Sequence, residues 1–359
     1  MINAEQYLPA RVAAAKAGID ALGAGAVLIS KPENVTYLSG IRSSNCYLIL
    51  TPEEGYILTD FRYIEVAENN RAGLTPVQLE QGKSVFDVVG SMNIPVLAVE
   101  EEAITYGFFK ELGSKHQGQI CSASHLVEDL RIVKDEYEKE CLRKAEEIGD
   151  LAFTHICGIL KEGMTEKEIA LELEFFMRKS GAEGLSFETI AVSGVRSSMP
   201  HGEPSDKRIE AGDFLTMDYG CKYRGYCSDM TRTVAIGKVS EEMKRVYDIV
   251  RRAQQTALEA VSPGKKASDI DRTARDIIKY EGYGKHFGHG TGHGVGLEIH
   301  EAPTANPTGN TVLKPGMAVT VEPGIYLPGK FGVRIEDLAL VTETGYEVLS
   351  HSEKDLIII

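Results

Sequence analysis

Four acidic residues of this chain lie in apolar, strand-like surroundings. Asp218 sits in FLTMDYG, Asp229 in GYCSDMTRTVAIG, Glu322 in GMAVTVEPGIYL and Glu336 in FGVRIEDLALVT. Gathering several like charges in a protein interior is strongly unfavourable unless something cancels them. Divalent cations are the simplest cancellation, and a carboxylate bridges two ions readily. Oxygen-rich coordination with a single imidazole suits manganese, cobalt or similar ions better than a structural zinc, which prefers cysteine and histidine. Two such ions roughly 3.5–4 Å apart generate a nucleophile from water near neutral pH. The residues therefore point to hydrolytic chemistry.

The imidazole comes from GHGTGHGVGLEIHE, residues 288–301, which holds His289, His293 and His300. Glycine at this density is unfavourable in ordinary elements and lets a backbone pass close to a ligand. His201 lies in SSMPHGEPS. Amide hydrolysis needs an oxyanion stabiliser and a proton for the leaving nitrogen, and histidines beside metals suit both tasks. Each piece alone has an ordinary explanation. A strand aspartate is usually a bulge or edge residue, a glutamate before Pro-Gly a turn residue, and a histidine in a glycine-rich loop is weak evidence. Arg232 and Arg334 flank Asp229 and Glu336. Arg232 reads as a salt-bridge partner, and Arg334 additionally as an orienter of substrate or ligands. Tyr226 and Tyr326 fit the cleft or the core equally well.

The elements that must position these residues form a repeat. A long helix is expected from Asp135 to about Leu160, and Thr165-x-x-Glu168 opens a second that Gly181 closes. Strands follow at GDFLTMDYG and GYCSDMTRTVAIG. Ser240 caps another long helix, and Ser268 is expected to start a short one ending near Gly282. The last strands read GMAVTVEPGIYL and FGVRIEDLALVT. AGDFLTMDYG aligns with PGMAVTVEPG: Gly212 with Gly316, Thr216 with Thr320, Asp218 with Glu322 and Gly220 with Gly324, all offset by 104 (322 − 218). Asp229 and Glu336 differ by 107 (336 − 229). Two halves about a pseudo-two-fold axis would bring the four carboxylates into one cleft.

Before these elements, AVLIS, NCYLIL, GYILTD and IPVLAVE read as strands, with PEEG as a hairpin turn. FRYIEVAENN and YGFFKELGSKH read as helices. We expect a small α/β domain over residues 1–125, serving as scaffold or subunit contact, and a second domain over 126–359. A chain of 359 residues exceeds one ordinary core, so two domains are the natural prior. The net charge of −14 offers no basic face for nucleic acid or an anionic membrane. The N-terminus has no signal-peptide pattern, and no apolar run approaches the roughly 20 residues of a membrane span. The six cysteines lack CxxC spacing and read as reduced thiols rather than as a Cys221–Cys227 disulfide. A cytoplasmic protein is expected.

At these motifs the chain resembles the proline-specific branch of the pita-bread metallopeptidases, which holds Xaa-Pro dipeptidases (prolidases) and Xaa-Pro aminopeptidases. The resemblance implies an α+β chain: a pita-bread catalytic domain with an internal pseudo-two-fold repeat, preceded by a smaller α/β creatinase-like domain. It implies five ligands to two divalent ions: Asp218 in MDYG, Asp229 in S-D-x-T-R-T, His293 in GTGHGVGLEIHE, Glu322 in V-E-P-G-I-Y and Glu336 in VRIED. Manganese or cobalt is expected, with zinc also admissible. Asp229 and Glu336 would bridge the ions, Asp218 would complete one site, and His293 with Glu322 the other. His201, His300 and His289 match the family's cleft histidines, and Glu322 its acceptor of the water proton. The implied substrates are small peptides with proline at the second position, and the implied assembly is a homodimer. After His300-Glu301, APTANPTGN does not separate dipeptide from longer substrates. Methionine aminopeptidases share the ligand types but usually lack a first domain of this size. Creatinase-like enzymes are metal-free and lack the full set. Non-catalytic relatives typically lose ligands.

Overall fold

The helix-capping signals are local, and the helices that follow Asp135, Thr165 and Ser240 begin where those signals fall. The computed structural model describes residues 3–123 and 125–359. It divides into two compact units that meet at Arg131/Ile132, compared with the expected boundary at 125/126.

The first unit is built on a six-stranded mixed sheet. Its spatial order is Thr75–Gln78, Gly55–Thr59, Cys46–Leu50, Ala26–Ile29, Val96–Val99 and Gln119–Ser122. The PEEG hairpin pairs Leu50 with Gly55 antiparallel, and the two outermost pairings are parallel. Leu28, Ile49, Leu58, Leu97 and Val99 form its core with helix residues such as Val89 and Leu112. Both edge strands escape the sequence pattern. Thr75-Pro76-Val77-Gln78 carries a proline, which an edge tolerates, and neither edge strand alternates cleanly. The helix expected over FRYIEVAENN shortens to Ile64–Glu68, because the Asn69 side chain donates to the Glu65 carbonyl and ends it. The helix at Tyr106–Lys115 is capped by Thr105.

In the second unit, Asp135 and Thr165 close reciprocal capping boxes with Glu138 and Glu168, which start helices Glu136–Ile159 and Glu166–Lys179. Ser240 caps Glu241–Glu259. The fourth helix runs Ala267–Tyr280, so Ser268 lies inside its first turn and does not cap it. The Ala267 and Ser268 N–H groups instead bond the carbonyls of Thr311 and Gly309, which leaves Ser268 no capping duty.

The repeat extends beyond the aligned strands. The Gly163 N–H bonds the Ile209 carbonyl, and the Gly264 N–H bonds the Leu313 carbonyl, both at 2.9 Å, with helix-side offset 101 (264 − 163). The Gly212 N–H bonds the Ile236 carbonyl at 2.7 Å, and the Gly316 N–H bonds that of Val341 at 2.8 Å. Both glycines have left-handed φ values, +98° and +89°, that other residues rarely adopt. One core gathers side chains of the first half, such as Ile156, Leu173 and Met217. The other gathers those of the second, such as Val250, Ile270 and Val319.

The long final strands are interrupted. GMAVTVEPGIYL splits into Ala318–Val321 and Gly324–Leu327, and FGVRIEDLALVT into Phe331–Arg334 and Asp337–Val341. The breaks fall on Glu322-Pro323 and Ile335-Glu336. Pro323 has no N–H, the Glu322 N–H turns to the Thr291 carbonyl at 2.8 Å, and the Glu336 N–H turns to the Thr231 carbonyl at 3.1 Å. The stretch around Asp229 also breaks, between Tyr226–Cys227 and Met230–Ala235. Of the four acids, only Asp218 lies within a strand, Phe214–Tyr219, opposite Thr231 and Ile190. Among the described residues, no helix is long and apolar enough to cross a membrane.

Candidate metal centre

These breaks release the acidic side chains toward one point. Oxygens of Asp218, Asp229 and Glu336 all lie within 4.8 Å of one another. The three residues are 9%, 5% and 1% exposed. His293 Nε2 lies 3.3 Å from Glu322 Oε1 and 3.5 Å from Asp229 Oδ2, so all five expected residues meet. His293 Nδ1 faces the Gly294 carbonyl at 3.1 Å, so Nδ1 donates there and Nε2 is the nitrogen turned to the carboxylates. The glycines of this segment serve a backbone close approach. A Cβ on Gly292 would stand 1.8 Å from the Thr320 carbonyl oxygen, and one on Gly294 would stand 2.2 Å from that of Ala302. Only glycine lets His293 come down onto Thr320, whose hydroxyl accepts the His293 N–H at 3.1 Å.

Arg334 is the buried countercharge. Its Nη2 donates to Asp218 Oδ2 at 2.5 Å, its Nη1 to the Tyr326 hydroxyl at 2.8 Å and to the Pro200 carbonyl at 3.2 Å, and its Nε to Thr231 Oγ1 at 3.0 Å. Thr231 passes its own proton to Glu336 Oε2 at 2.8 Å. Tyr326 accepts from Arg334 and so donates to His289 Nε2 at 2.9 Å, while His289 Nδ1 donates to the Gly290 carbonyl at 2.7 Å. His289 is thereby held neutral, and burial depresses its pKa. His300 is exposed, with its ring 4.4 Å from that of His293, and burial and then the His293 charge lower its pKa. His201 is exposed on the loop next to Pro200, near enough to bear electrostatically on His289 and His300.

The electrostatics call for cations. Burial, and then the Glu336 and Asp218 charges, push Asp229 well above the usual carboxylate range. Burial, and then Glu322 and Asp218, do the same to Glu336. Asp218 is raised by burial against the pull of Arg334. Burial also acts upward on Glu322, but hydrogen bonding and charge from His293 outweigh it and leave it lowered. Fully ionised, four carboxylates and one guanidinium carry −3 (−4 + 1). Asp218 Oδ1 and Glu336 Oε1 are buried and accept no hydrogen bond from the described residues. Buried acceptors without donors, in a set of four carboxylates and one imidazole, fit divalent cations.

Several residues outside the expected set complete this arrangement. Thr231 and Thr233 share alternate positions with Asp229, and Thr233 Oγ1 donates to the Arg334 carbonyl at 2.9 Å. That period of two is visible in D-M-T-R-T. Glu146, on the helix Glu136–Ile159, accepts the Asp229 N–H at 2.8 Å, and no sequence motif marks it. Arg232 pairs with Asp337 at 2.8 Å and bonds nearby carbonyls. Tyr226 is a core residue whose hydroxyl donates to Glu138 at 3.2 Å. Cys221 and Cys227 are both free thiols.

Residues 140–343 match Metallopeptidase family M24, and residues 11–133 match the Creatinase/Prolidase N-terminal domain. The chain belongs to metallopeptidase family M24. An Xaa-Pro dipeptidase of Pyrococcus horikoshii is 40% identical over 335 residues, covering 92% of this chain and 94% of that protein. Among solved structures, an Xaa-Pro dipeptidase from Bacillus anthracis superposes with a TM-score of 0.95 at 40% identity, covering 99% of this chain and 100% of that one. An X-Pro aminopeptidase from Thermotoga maritima gives 0.86 at 37% identity, covering 95% and 99%. The protein is thus a metal-dependent peptidase of family M24, with its catalytic unit preceded by a creatinase-type domain.

Proposed function

We propose that this M24 peptidase removes an N-terminal residue from proline, using two divalent cations held by Asp218, Asp229, His293, Glu322 and Glu336. The observation that carries the reading is the buried carboxylate cluster with its two unpaired oxygens beside His293 Nε2. Bound there, two divalent ions would supply a water nucleophile active near neutral pH and polarise the scissile carbonyl. Asp229 and Glu336 would be shared between the ions, Asp218 would complete one position, and His293 with Glu322 the other. Manganese or cobalt suits the oxygen-rich set, and zinc is also admissible.

The chain's own groups divide the remaining work. Glu322, kept ionised by His293, accepts the proton of the attacking water and returns it to the proline nitrogen. His300, whose ring lies beside that of His293, and His201, which bears electrostatically on His289 and His300, stabilise the developing oxyanion. His289 does not act as a free acid or base, because both ring nitrogens are engaged. Arg334 and Tyr326 hold Asp218 and the histidine loop in register. Substrates are small peptides with proline at the second position, in line with the relatives' names.

Purified protein with Mn²⁺ or Co²⁺ should hydrolyse Ala-Pro or Ala-Pro-Ala, and Asp229→Ala should abolish turnover. Cleavage of the dipeptide alone identifies a dipeptidase, and cleavage of the longer peptides an aminopeptidase. An Asp229→Ala variant with unchanged turnover defeats the reading.

A further inference from the structure

We propose that Glu146, with Ser350, is a positioning brace that sets the spacing between the Asp229 and Glu336 segments. The inference rests on the reading of those two residues as metal ligands. Glu146 is fully buried on the helix Glu136–Ile159. An interior carboxyl without a cationic partner is unfavourable and needs a reason. Its Oε1 accepts the Asp229 N–H at 2.8 Å. Its Oε2 accepts the Ser350 hydroxyl at 2.9 Å, and Ser350 Oγ in turn accepts the Leu338 N–H at 3.0 Å. Leu338 lies two residues beyond Glu336. One side chain therefore spans from the backbone of one proposed bridging carboxylate to the strand that starts after the other.

The anchoring at each end is specific. Asp229 falls in the break before Met230–Ala235, where the strand pairing with Phe214–Tyr219 begins only at Met230. Its N–H has no ladder partner and depends on Glu146. At the far end, Asp150, one turn along the same helix, accepts the backbone N–H groups of His351 and Ser352 at 2.8 and 2.7 Å. Two acids four residues apart thus clamp the segment 350–352 against the helix and hold Ser350 where Glu146 can reach it. The first half contributes the helix and Asp229, the second half Leu338 and Glu336, and the C-terminal segment joins them.

Glutamine at position 146 keeps a carbonyl acceptor for the Asp229 N–H and fills the same volume. Leucine fills the volume and removes both acceptors. The test is calorimetric titration of metal-free protein with Mn²⁺ alone, comparing wild type, Asp229→Ala, Glu146→Leu, Glu146→Gln and Ser350→Ala. Removing a group that orients a ligand commonly weakens metal binding about 10- to 100-fold. Glu146→Leu should fall in that range, Glu146→Gln should restore most of the affinity, and Ser350→Ala should weaken binding although it touches no proposed ligand. Wild-type affinity in Glu146→Leu overturns the brace, as does a loss in Glu146→Gln as large as in the leucine variant. If Glu146→Leu does not fold, unchanged affinity in Ser350→Ala overturns it. Wild type that binds no Mn²⁺, or Asp229→Ala that binds normally, sinks the metal-site reading instead.

Discussion

Stripped of cations, the catalytic unit should become less stable as pH rises from about 5.5 to about 8. Glu146 gives the scale. Burial lifts it from 4.5 to about 8, a difference of about 3.5 (8 − 4.5). A folded-state pKa raised above the unfolded value contributes stability below the unfolded value, and that contribution is lost as pH climbs toward the folded one. Over the upper 2.5 pH units of that range, Glu146 alone removes about 3 kcal/mol at about 1.36 kcal/mol per unit. Asp218, Asp229 and Glu336 are raised as well, and His293 is raised by Glu322 against its own burial, so all add in the same direction. Glu322 is lowered, so its contribution is lost only as pH falls below the ordinary carboxylate range, outside this window. His289 and His300 are lowered and work the other way through about pH 6.5, but they are two groups against five. The catalytic unit has 228 residues (359 − 131), for which each kcal/mol moves the melting midpoint roughly 2–4 °C. Scanning calorimetry in excess chelator should show its transition fall by roughly 6–12 °C from Glu146 alone, and Glu146→Gln should remove that share of the slope. Saturating Mn²⁺ should remove the part of the decline that comes from the proposed ligands, because cations bind the ionised carboxylates, and should leave the Glu146 share. A chelated protein whose transition is flat or rises over this range refutes the reasoning.

Other perturbations separate the parts of the centre. Thr231→Val removes the donor to Glu336 and the acceptor of Arg334 Nε. It should destabilise the protein by about 1–3 kcal/mol in urea titrations and weaken Mn²⁺ binding in calorimetry. Arg334→Leu strips Asp218 of its buried partner and should lower metal-free stability by about 3–5 kcal/mol in urea, with Mn²⁺ recovering part of the loss. Tyr326→Phe removes the donor to His289 while leaving the Arg334–Asp218 pair. Steady-state assays should show kcat reduced roughly tenfold, about one lost hydrogen bond, with Mn²⁺ affinity little changed.

Features whose causes lie within a few residues were legible in the chain. Asp135 with Glu138 and Thr165 with Glu168 cap helices using only their own turn. The 104-residue offset between Asp218 and Glu322 was legible too, because duplication repeats both the acids and the glycines that turn the strands. What escaped depends on distant partners. Ser268 looks like a cap, but the segment 309–313 takes its N–H. The breaks at Glu322 and Glu336 arise because their N–H groups leave for Thr291 and Thr231, which no local pattern records. The proline-bearing strand Thr75–Gln78 is stabilised by its neighbour in the sheet rather than by its own alternation. Glu146 was invisible because a helix glutamate normally faces solvent, and only tertiary packing makes this one the acceptor for Asp229.

The central claim is that Asp218, Asp229, His293, Glu322 and Glu336 together hold two divalent cations. A crystal of the wild-type protein grown with Mn²⁺ and measured at a wavelength where manganese scatters anomalously tests it most directly. Two anomalous peaks roughly 3.5–4 Å apart, both contacted by Asp229 and Glu336, are the predicted result. A map with no peak among these five residues, or with manganese bound only elsewhere, would contradict it.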